Sequence, residues 1–246
     1  MQKRSFSKAT SKVALFLALL AVATVALMVF GSSMGLWDPI VGFMASRKYN
    51  DLLGYIVVGV ALLALMTSFR TAGKDRLSSI VALLLGLAIL APSMLALLIE
   101  PVKYPPIHDI TTNSLSPPQF TFLTDSRPGA KNSLVYGGAD IAAQQLQAYP
   151  TIKPIVTELS NAEAYQKALT VAKDMGWTIV YKDPQALRFE STARTPFFNF
   201  ADYVVVEVST FEQSSRIDLR SVSRIGIGDR GVNAKRIQEF SQRFSQ

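Results

Sequence analysis

The sequence predicts an α+β protein in which three N-terminal transmembrane helices precede a compact helix, four-stranded antiparallel sheet and helix domain. Three uncharged apolar runs of bilayer-spanning length lie within the first 100 residues. After residue 150 the apolar residues recur at helical spacing, then alternate with polar ones as in half-buried strands, and finally return to helical spacing. We therefore predict an anchor at 1–100, a proline-rich arm at 101–135 and an extracytoplasmic domain at 136–246.

The anchor is predicted from apolar runs at Val13 to Phe30, Leu52 to Phe69 and Leu77 to Ile99. About 20 apolar residues in a helix cross a hydrocarbon core of about 30 Å, and the helix satisfies its own backbone hydrogen bonds there. Pro92 predicts a mild kink in the third span. A cleaved signal peptide is the alternative for the first run, although that run is longer than a usual signal-peptide core. Because the runs contain no ionisable residue, we interpret them as an anchor rather than a transport pathway.

The basic residues beside the spans predict the orientation, because Lys and Arg are retained on the cytoplasmic side. Seven of them lie in the N-terminal segment and the second loop, whereas two lie in the first loop. The seven are Lys3, Arg4, Lys8, Lys12, Arg70, Lys74 and Arg76, and the two are Arg47 and Lys48. A cytoplasmic N-terminus and three spans predict a periplasmic C-terminal domain in a bacterial inner membrane.

Composition excludes several classes of function. The net charge of +7 divides into +5 in the first 100 residues and +2 in the rest, so the predicted domain lacks the basic excess that nucleic-acid binding needs. With no cysteine and one histidine, the chain has no disulfide, thiolate nucleophile or multi-histidine metal centre. We expect no metal and no cofactor.

Proline dominates the arm, which contains six of the chain's twelve prolines between residues 101 and 128. Proline fixes φ and lacks an N–H, so this stretch is neither a helix nor a central strand. The arm also carries apolar side chains that it can bury: Ile107, Ile110, Phe120 and Phe122. We therefore predict an extended arm laid along the domain.

The predicted domain begins with a short helix at 139–149. A helix marked by the capping box of Ser160 and Glu163 follows and ends at Gly176. Alternating residues then predict four strands, near 177–182, 187–190, 203–211 and 216–225, before a last helix from about Asn233 to Phe244.

A glycine motif, G-x-G-x-x-G from Gly226 to Gly231, separates the last predicted strand from the last helix. In dinucleotide-binding folds such a loop holds a pyrophosphate at a helix N-terminus. Only fifteen residues follow Gly231, which leaves no room for the return strand or the acidic ribose-binding residue. We therefore interpret the loop as a turn and expect no dinucleotide.

Arginines on the fourth predicted strand form the first candidate site. Arg216, Arg220 and Arg224 share one face of that strand, since side chains alternate along it. They either pair with carboxylates of the sheet or bind an anion. We expect this face to meet the start of the last helix, in a cluster of Arg220, Arg224, Asp229, Asn233 and Arg236.

The second candidate site lies in the arm, where His108 precedes Asp109. Histidine titrates near neutrality, so this pair suits acid–base chemistry, but the chain contains no G-x-S-x-G nucleophile elbow. A structural hydrogen bond from His108 that fixes the arm is the alternative.

Two segments resemble the domain-of-unknown-function family 1499. The first runs from Pro105 to Thr112 and continues in Pro117-Pro118-Gln119-Phe120. The second runs from Ile217 to Gly226 and continues through Asp229, Gly231, Asn233, Arg236 and Ile237. The resemblance implies a bacterial envelope protein with an exposed domain behind membrane spans, and it implies no reaction, cofactor or catalytic residue.

Three functions fit these observations. The first is a membrane-anchored binding or interaction module that recognises an anionic small molecule or a partner envelope protein. The second is an envelope hydrolase that uses His108, Asp109 and the arginine cluster. The third is a structural subunit of a larger membrane complex. Because no catalytic set is complete, we favour a non-enzymatic role.

Overall fold

The computed structural model describes residues 2–68, 73–100 and 102–246, which form two compact units. Unit 1 contains the residues up to 102 together with the short segment 196–199. Unit 2 contains residues 103–195 and 200–246. Phe69, Arg70 and Pro101, which enter the predictions above, lie outside the described residues.

Unit 1 contains three helices that are long and apolar enough to cross a membrane, as predicted. They are α1 (Gln2–Phe30), α2 (Pro39–Ser68) and α3 (Gly73–Leu98). Pro92 lies inside α3. The largest difference from the prediction is in α2, which begins thirteen residues before the apolar run at Leu52. The polar residues that precede that run are therefore helical rather than part of a loop.

Small side chains pack the three helices of unit 1 together. The buried positions of each helix recur in steps of three and four residues, as at the interface of left-handed helix bundles. They include Ser11, Ala14, Ala18 and Ala21 of α1, Gly54, Val57, Ala61 and Ala64 of α2, and Ser79, Ala82 and Ile89 of α3. At one end the Ser79 hydroxyl donates to Ser11 at 3.0 Å. Ala14 and Ala18 thus belong to an interface that runs along the bundle.

Gly42 of α2 lies close to the backbone of α1 and provides a test of this packing. A β-carbon there would lie 2.8 Å from Trp37 Nε1 and overlap the Met28 carbonyl of α1. We expect Gly42→Ala to destabilise the bundle by about 1–3 kcal/mol, because backbone blocks the added methyl. The measurement is thermal unfolding of the full chain in detergent. Gly59→Ala is the matched control, since a β-carbon at Gly59 meets no atom within 4 Å; equal melting temperatures for both variants would contradict the prediction.

Unit 2 contains an antiparallel sheet of six strands rather than the predicted four. The strands are β1 (Asp109–Thr111), β2 (Ile155–Thr157), β3 (Thr178–Asp183), β4 (Arg188–Arg194), β5 (Ala201–Phe211) and β6 (Ser214–Ser223). Their order is β1-β6-β5-β4-β3, and β2 also pairs with β6. The two strands missing from the prediction have three residues each, which is too short to show an alternating pattern. The α+β class itself is confirmed.

Three helices complete unit 2: α4 (Gly138–Ala148), α5 (Asn161–Asp174) and α6 (Val232–Phe244). The capping box predicted for α5 is present, since Ser160 Oγ accepts the Glu163 N–H while the Glu163 carboxylate accepts the Ser160 N–H. Residues of α5 and α6 pack against one face of the sheet, which we call the helix face. Its core includes Leu169, Val204, Leu219, Ile237 and Phe240.

The arm covers the opposite face of the sheet, which we call the arm face. There Leu134, Phe120 and Leu123 pack against Tyr203 of β5 and Val222 of β6. Ile107 and Ile110, at the start of the arm, are fully buried in the helix-face core. The sheet is thus covered on both sides, and β6 is the strand on which the candidate site residues meet.

Candidate functional site

Arg220 of β6 is the centre of the arm face. Its side chain is 0% exposed and forms a bidentate ion pair with Asp109 of β1, with Nε–Oδ1 at 2.9 Å and Nη2–Oδ2 at 2.7 Å. Nη2 also donates to the Leu134 carbonyl at 2.7 Å, and Nη1 donates to the Pro118 carbonyl at 3.2 Å. One guanidinium therefore fastens three separate points of the arm to the sheet.

Two aromatic rings enclose the same guanidinium. The Arg220 carbon Cζ lies 5.5 Å from the centre of the Phe120 ring and 5.3 Å from that of Tyr136, which are cation–π distances. Burial raises the pKa of the Asp109 carboxyl, and the hydrogen bonds and charge of Arg220 oppose that effect. Because the guanidinium is enclosed and paired, it has no surface on which an external anion can bind in this conformation.

Arg236 of α6 organises a second polar cluster, on the helix face. Its Nη2 donates to Asp202 Oδ2 at 2.5 Å, and its Nη1 donates to Asn233 Oδ1 at 2.6 Å and to Ser221 Oγ at 3.1 Å. Asn233 in turn donates to Ser223 Oγ at 2.8 Å. Burial raises the pKa of Asp202, against the lowering effect of the Arg236 charge. This cluster joins α6 to β5 and β6.

The predicted meeting of the arginine face with the last helix is therefore wrong. Arg220 points to the arm face, whereas Asn233 and Arg236 contact Ser221 and Ser223, which point the other way because side chains alternate along a strand. The expected pairing with a carboxylate of the sheet is confirmed for Arg216, whose Nε lies 2.8 Å from Asp218 Oδ2, but not for Arg220. Arg220 pairs with Asp109 of the arm rather than with a carboxylate of the long strands, and the arm's position could not be derived from the strand pattern.

The glycine loop between β6 and α6 has a structural role in the described conformation. Gly226 (φ 105°) and Gly231 (φ 80°) lie in the left-handed region, whereas Gly228 does not. Gly228 instead passes close to the arm, where a β-carbon would lie 3.3 Å from the Pro105 carbonyl oxygen. Asp229 caps α6, since its carboxylate accepts the N–H groups of Gly231 at 2.9 Å and Asn233 at 2.6 Å. An acidic cap at the helix N-terminus disfavours a phosphate at that position.

His108 and Asp109 do not form an acid–base pair in the described structure. His108 Nδ1 lies 3.2 Å from the Ile227 carbonyl oxygen of the glycine loop, while the Asp109 carboxylate is held by Arg220. The His108 carbonyl also accepts the Ser223 N–H at 2.9 Å and Asn233 Nδ2 at 3.1 Å. Both residues thus contribute to fixing the arm, which is the alternative that the sequence left open for His108.

Basic residues lie where the arm and the glycine loop meet; Lys131 and Arg230 are exposed, and Arg224 is half-buried. This surface, which we call the loop end, consists of His108, Lys131, Arg224, Ile227 and Arg230. Arg224 donates to the Pro128 carbonyl, and the Arg224 carbonyl accepts the Lys131 N–H at 2.9 Å, so the segments are held together. Ile227 is 81% exposed. Among the described residues, neither Arg224 nor Arg230 has a carboxylate within ion-pair distance.

Glu190 of β4 is a key residue of the arm face, whereas the sequence predicted it only as one of several carboxylates that could pair with the arginines. Its side chain is 0% exposed, and its carboxylate accepts the backbone N–H groups of Thr121 at 2.6 Å, Phe122 at 2.9 Å and Leu123 at 2.8 Å. Lys131 and Arg230 were missed. The only available signal for Glu190 was a carboxylate within an otherwise alternating strand, which is common on solvated faces.

These features define a class of protein that combines three helices capable of spanning a membrane with an α+β domain. In that domain, buried carboxylates and a buried arginine hold a proline-rich arm across the sheet. The chain belongs to the family described as Protein of unknown function (DUF1499), whose model matches residues 109–244. That match covers β1 to the end of α6 and so contains both polar clusters. No curated protein matches the chain.

Proposed function

We propose that this protein is a membrane-anchored binding module whose loop end recognises an anionic group, on a small molecule or on a partner envelope protein. In this proposal the three helices of unit 1 lie in a bacterial inner membrane with the N-terminus in the cytoplasm. Unit 2 is then periplasmic. The resemblance to bacterial envelope proteins and the seven-to-two distribution of basic residues support this placement.

The proposal rests on the division of basic residues in unit 2 into those with a buried carboxylate partner and those at the loop end without one. Arg220 and Arg236 have buried carboxylate partners, so their charges are neutralised inside the fold. Arg224, Arg230 and Lys131 remain at the loop end, around an exposed Ile227. A surface that presents cations and one apolar side chain suits recognition of an acidic surface. The ion pair between Arg220 and Asp109 favours binding over hydrolysis, because the Asp109 carboxylate is then not a partner for His108.

The placement of unit 2 predicts the result of a reporter fusion. Alkaline phosphatase joined after Gln246 is expected to be active, because the enzyme folds only where disulfides form. The fusion is made to the full chain and assayed in intact cells. Activity of a cytoplasmic reporter at the same position, with an inactive phosphatase, would contradict the orientation.

The loop end predicts which substitutions abolish partner binding. The full chain is purified in mild detergent, and any stoichiometric partner that copurifies is quantified. We expect Arg224→Gln/Arg230→Gln to lower its recovery at least tenfold, since two charge-assisted contacts are lost. If the ligand is a small anion, inorganic phosphate should instead raise the melting temperature of the wild type, relative to chloride at equal ionic strength, and not that of the variant.

The matched control is Lys173→Gln/Lys182→Gln, which removes two exposed charges at α5 and β3. We expect it to retain the partner and the phosphate response. Equal losses in both double variants would show a net-charge effect and contradict a site at the loop end. The proposal would also fail if the wild type showed neither a stoichiometric partner nor a phosphate response.

A further inference from the structure

A short polar band interrupts the apolar surface of α2. Residues 46–51, with the sequence Ser-Arg-Lys-Tyr-Asn-Asp, separate an apolar first part at 39–45 from an apolar second part at 52–68. The band is helical throughout, because α2 begins at Pro39. Because the band and the apolar second part belong to one continuous helix, the depth of the second part in the membrane fixes the depth of the band.

That depth places the cations of the band within reach of lipid headgroups. The second part of α2, from Leu52 to Ser68, has 17 residues and is about 26 Å long at 1.5 Å per residue. This length nearly equals the hydrocarbon thickness of about 30 Å. Asp51 contacts Ser93, six residues before the end of the apolar run at Ile99, so the band begins about 9 Å inside that end of the bundle. The long side chains of Arg47 and Lys48 can extend from there to the headgroups. Tyr49 and Tyr55, both exposed, are the residue type enriched at the membrane–water interface.

The two cations of the band lack acidic partners within the described residues. Arg47 and Lys48 are both exposed, and neither has a carboxylate within ion-pair distance. Asp51, one turn after Arg47, is instead engaged by α3, since Ser93 Oγ donates to its Oδ1 at 2.5 Å. The one carboxylate of the band is thus hydrogen-bonded to α3 and forms no ion pair with Arg47.

Aromatic rings support both cations. Arg47 Cζ lies 5.9 Å from the centre of the Phe43 ring, and Lys48 Nζ lies 5.1 Å from that of Tyr49. Such contacts are compatible with simultaneous binding of an anion on the open side of the cation. Arg47 and Lys48 thus present two exposed positive charges at consecutive positions of α2.

We propose that Arg47 and Lys48 form a binding site for the headgroup of an anionic phospholipid. Arg47 donates to the phosphate oxygens, Lys48 adds a second positive charge, and the acyl chains lie along the exposed apolar surface of α2 below the band, at Leu52 and Tyr55. The inference rests on insertion of unit 1 into a bilayer and is independent of the loop end. It also gives a function to the two basic residues that oppose the orientation rule.

The test measures retention of phospholipid by the full chain. Protein in detergent is mixed with equal amounts of phosphatidylglycerol and phosphatidylcholine, and the bound lipids are counted by native mass spectrometry. We expect the wild type to prefer phosphatidylglycerol and Arg47→Gln/Lys48→Gln to lower that preference about tenfold. Glycerol phosphate without acyl chains should not compete at millimolar concentration. Competition by glycerol phosphate would identify a soluble anion site and overturn the lipid assignment.

Two further variants keep the test decisive. Lys173→Gln/Lys182→Gln removes the same charge from unit 2 and should leave the preference unchanged. Asp51→Asn removes the negative charge of the band and should raise the preference for phosphatidylglycerol, a gain that a misfolded protein does not produce. An unchanged preference in both the Arg47→Gln/Lys48→Gln and Asp51→Asn variants would overturn the proposal.

Discussion

Replacement of Arg220 by alanine is expected to destabilise unit 2 by about 3–5 kcal/mol, a large part of the roughly 5–15 kcal/mol typical of a folded domain. The substitution leaves the buried Asp109 carboxylate unpaired and removes the donor from the carbonyl groups of Pro118 and Leu134. It also opens space between the rings of Phe120 and Tyr136. The measurement is denaturant unfolding of the full chain in detergent, with hydrogen exchange of the β5 and β6 amides to locate the change.

Arg224→Ala is the matched control for Arg220→Ala, because Arg224 directly follows β6, is partly exposed and has no carboxylate partner among the described residues. We expect it to cost less than about 1 kcal/mol. The double variant Arg220→Met/Asp109→Leu should recover part of the loss, since paired apolar residues leave no uncompensated charge. Equal effects of Arg220→Ala and Arg224→Ala would contradict the structural role of the buried pair.

Replacement of Glu190 by alanine is expected to release the central part of the arm. Three N–H groups, of Thr121, Phe122 and Leu123, lose their acceptor, and because these residues are exposed or half-buried, water can replace part of what is lost. We therefore expect a loss of about 1–3 kcal/mol, or local opening of the arm where that costs less. Hydrogen exchange at residues 119–124 distinguishes the two outcomes, since local opening accelerates exchange there and leaves β5 protected.

Glu190→Gln provides the intermediate case, because the amide keeps the size of the carboxylate but retains one acceptor oxygen. Its effect should fall between those of the wild type and Glu190→Ala. Glu158→Ala, which removes an exposed carboxylate, should leave exchange in the arm unchanged. Unchanged protection of residues 119–124 in Glu190→Ala would show that the arm is held without this carboxylate.

Local patterns were sufficient for the long elements. The apolar runs at Val13, Leu52 and Leu77 predicted three long apolar helices, because spanning length and absence of charge are properties of a continuous segment. The capping box at Ser160 and the period-two alternation after it located α5 and the four long strands for the same reason. Strands β1 and β2 were not predicted, because three residues are too few to show an alternating pattern. Both strands pair with β6, which is distant in the chain.

The partners of the charged residues were decided by tertiary structure alone. The sequence by itself determined the α+β class, the apolar helices and the face that Arg220 shares with Arg216, since these depend on residues near one another along the chain. Asp109 and Arg220 are 111 residues apart in the chain. The amides of 121–123 are about 68 residues from Glu190. Those contacts depend on where the arm crosses the sheet. That path is set by burial of Phe120, Leu134 and Ile107 against the strands, which no local pattern records.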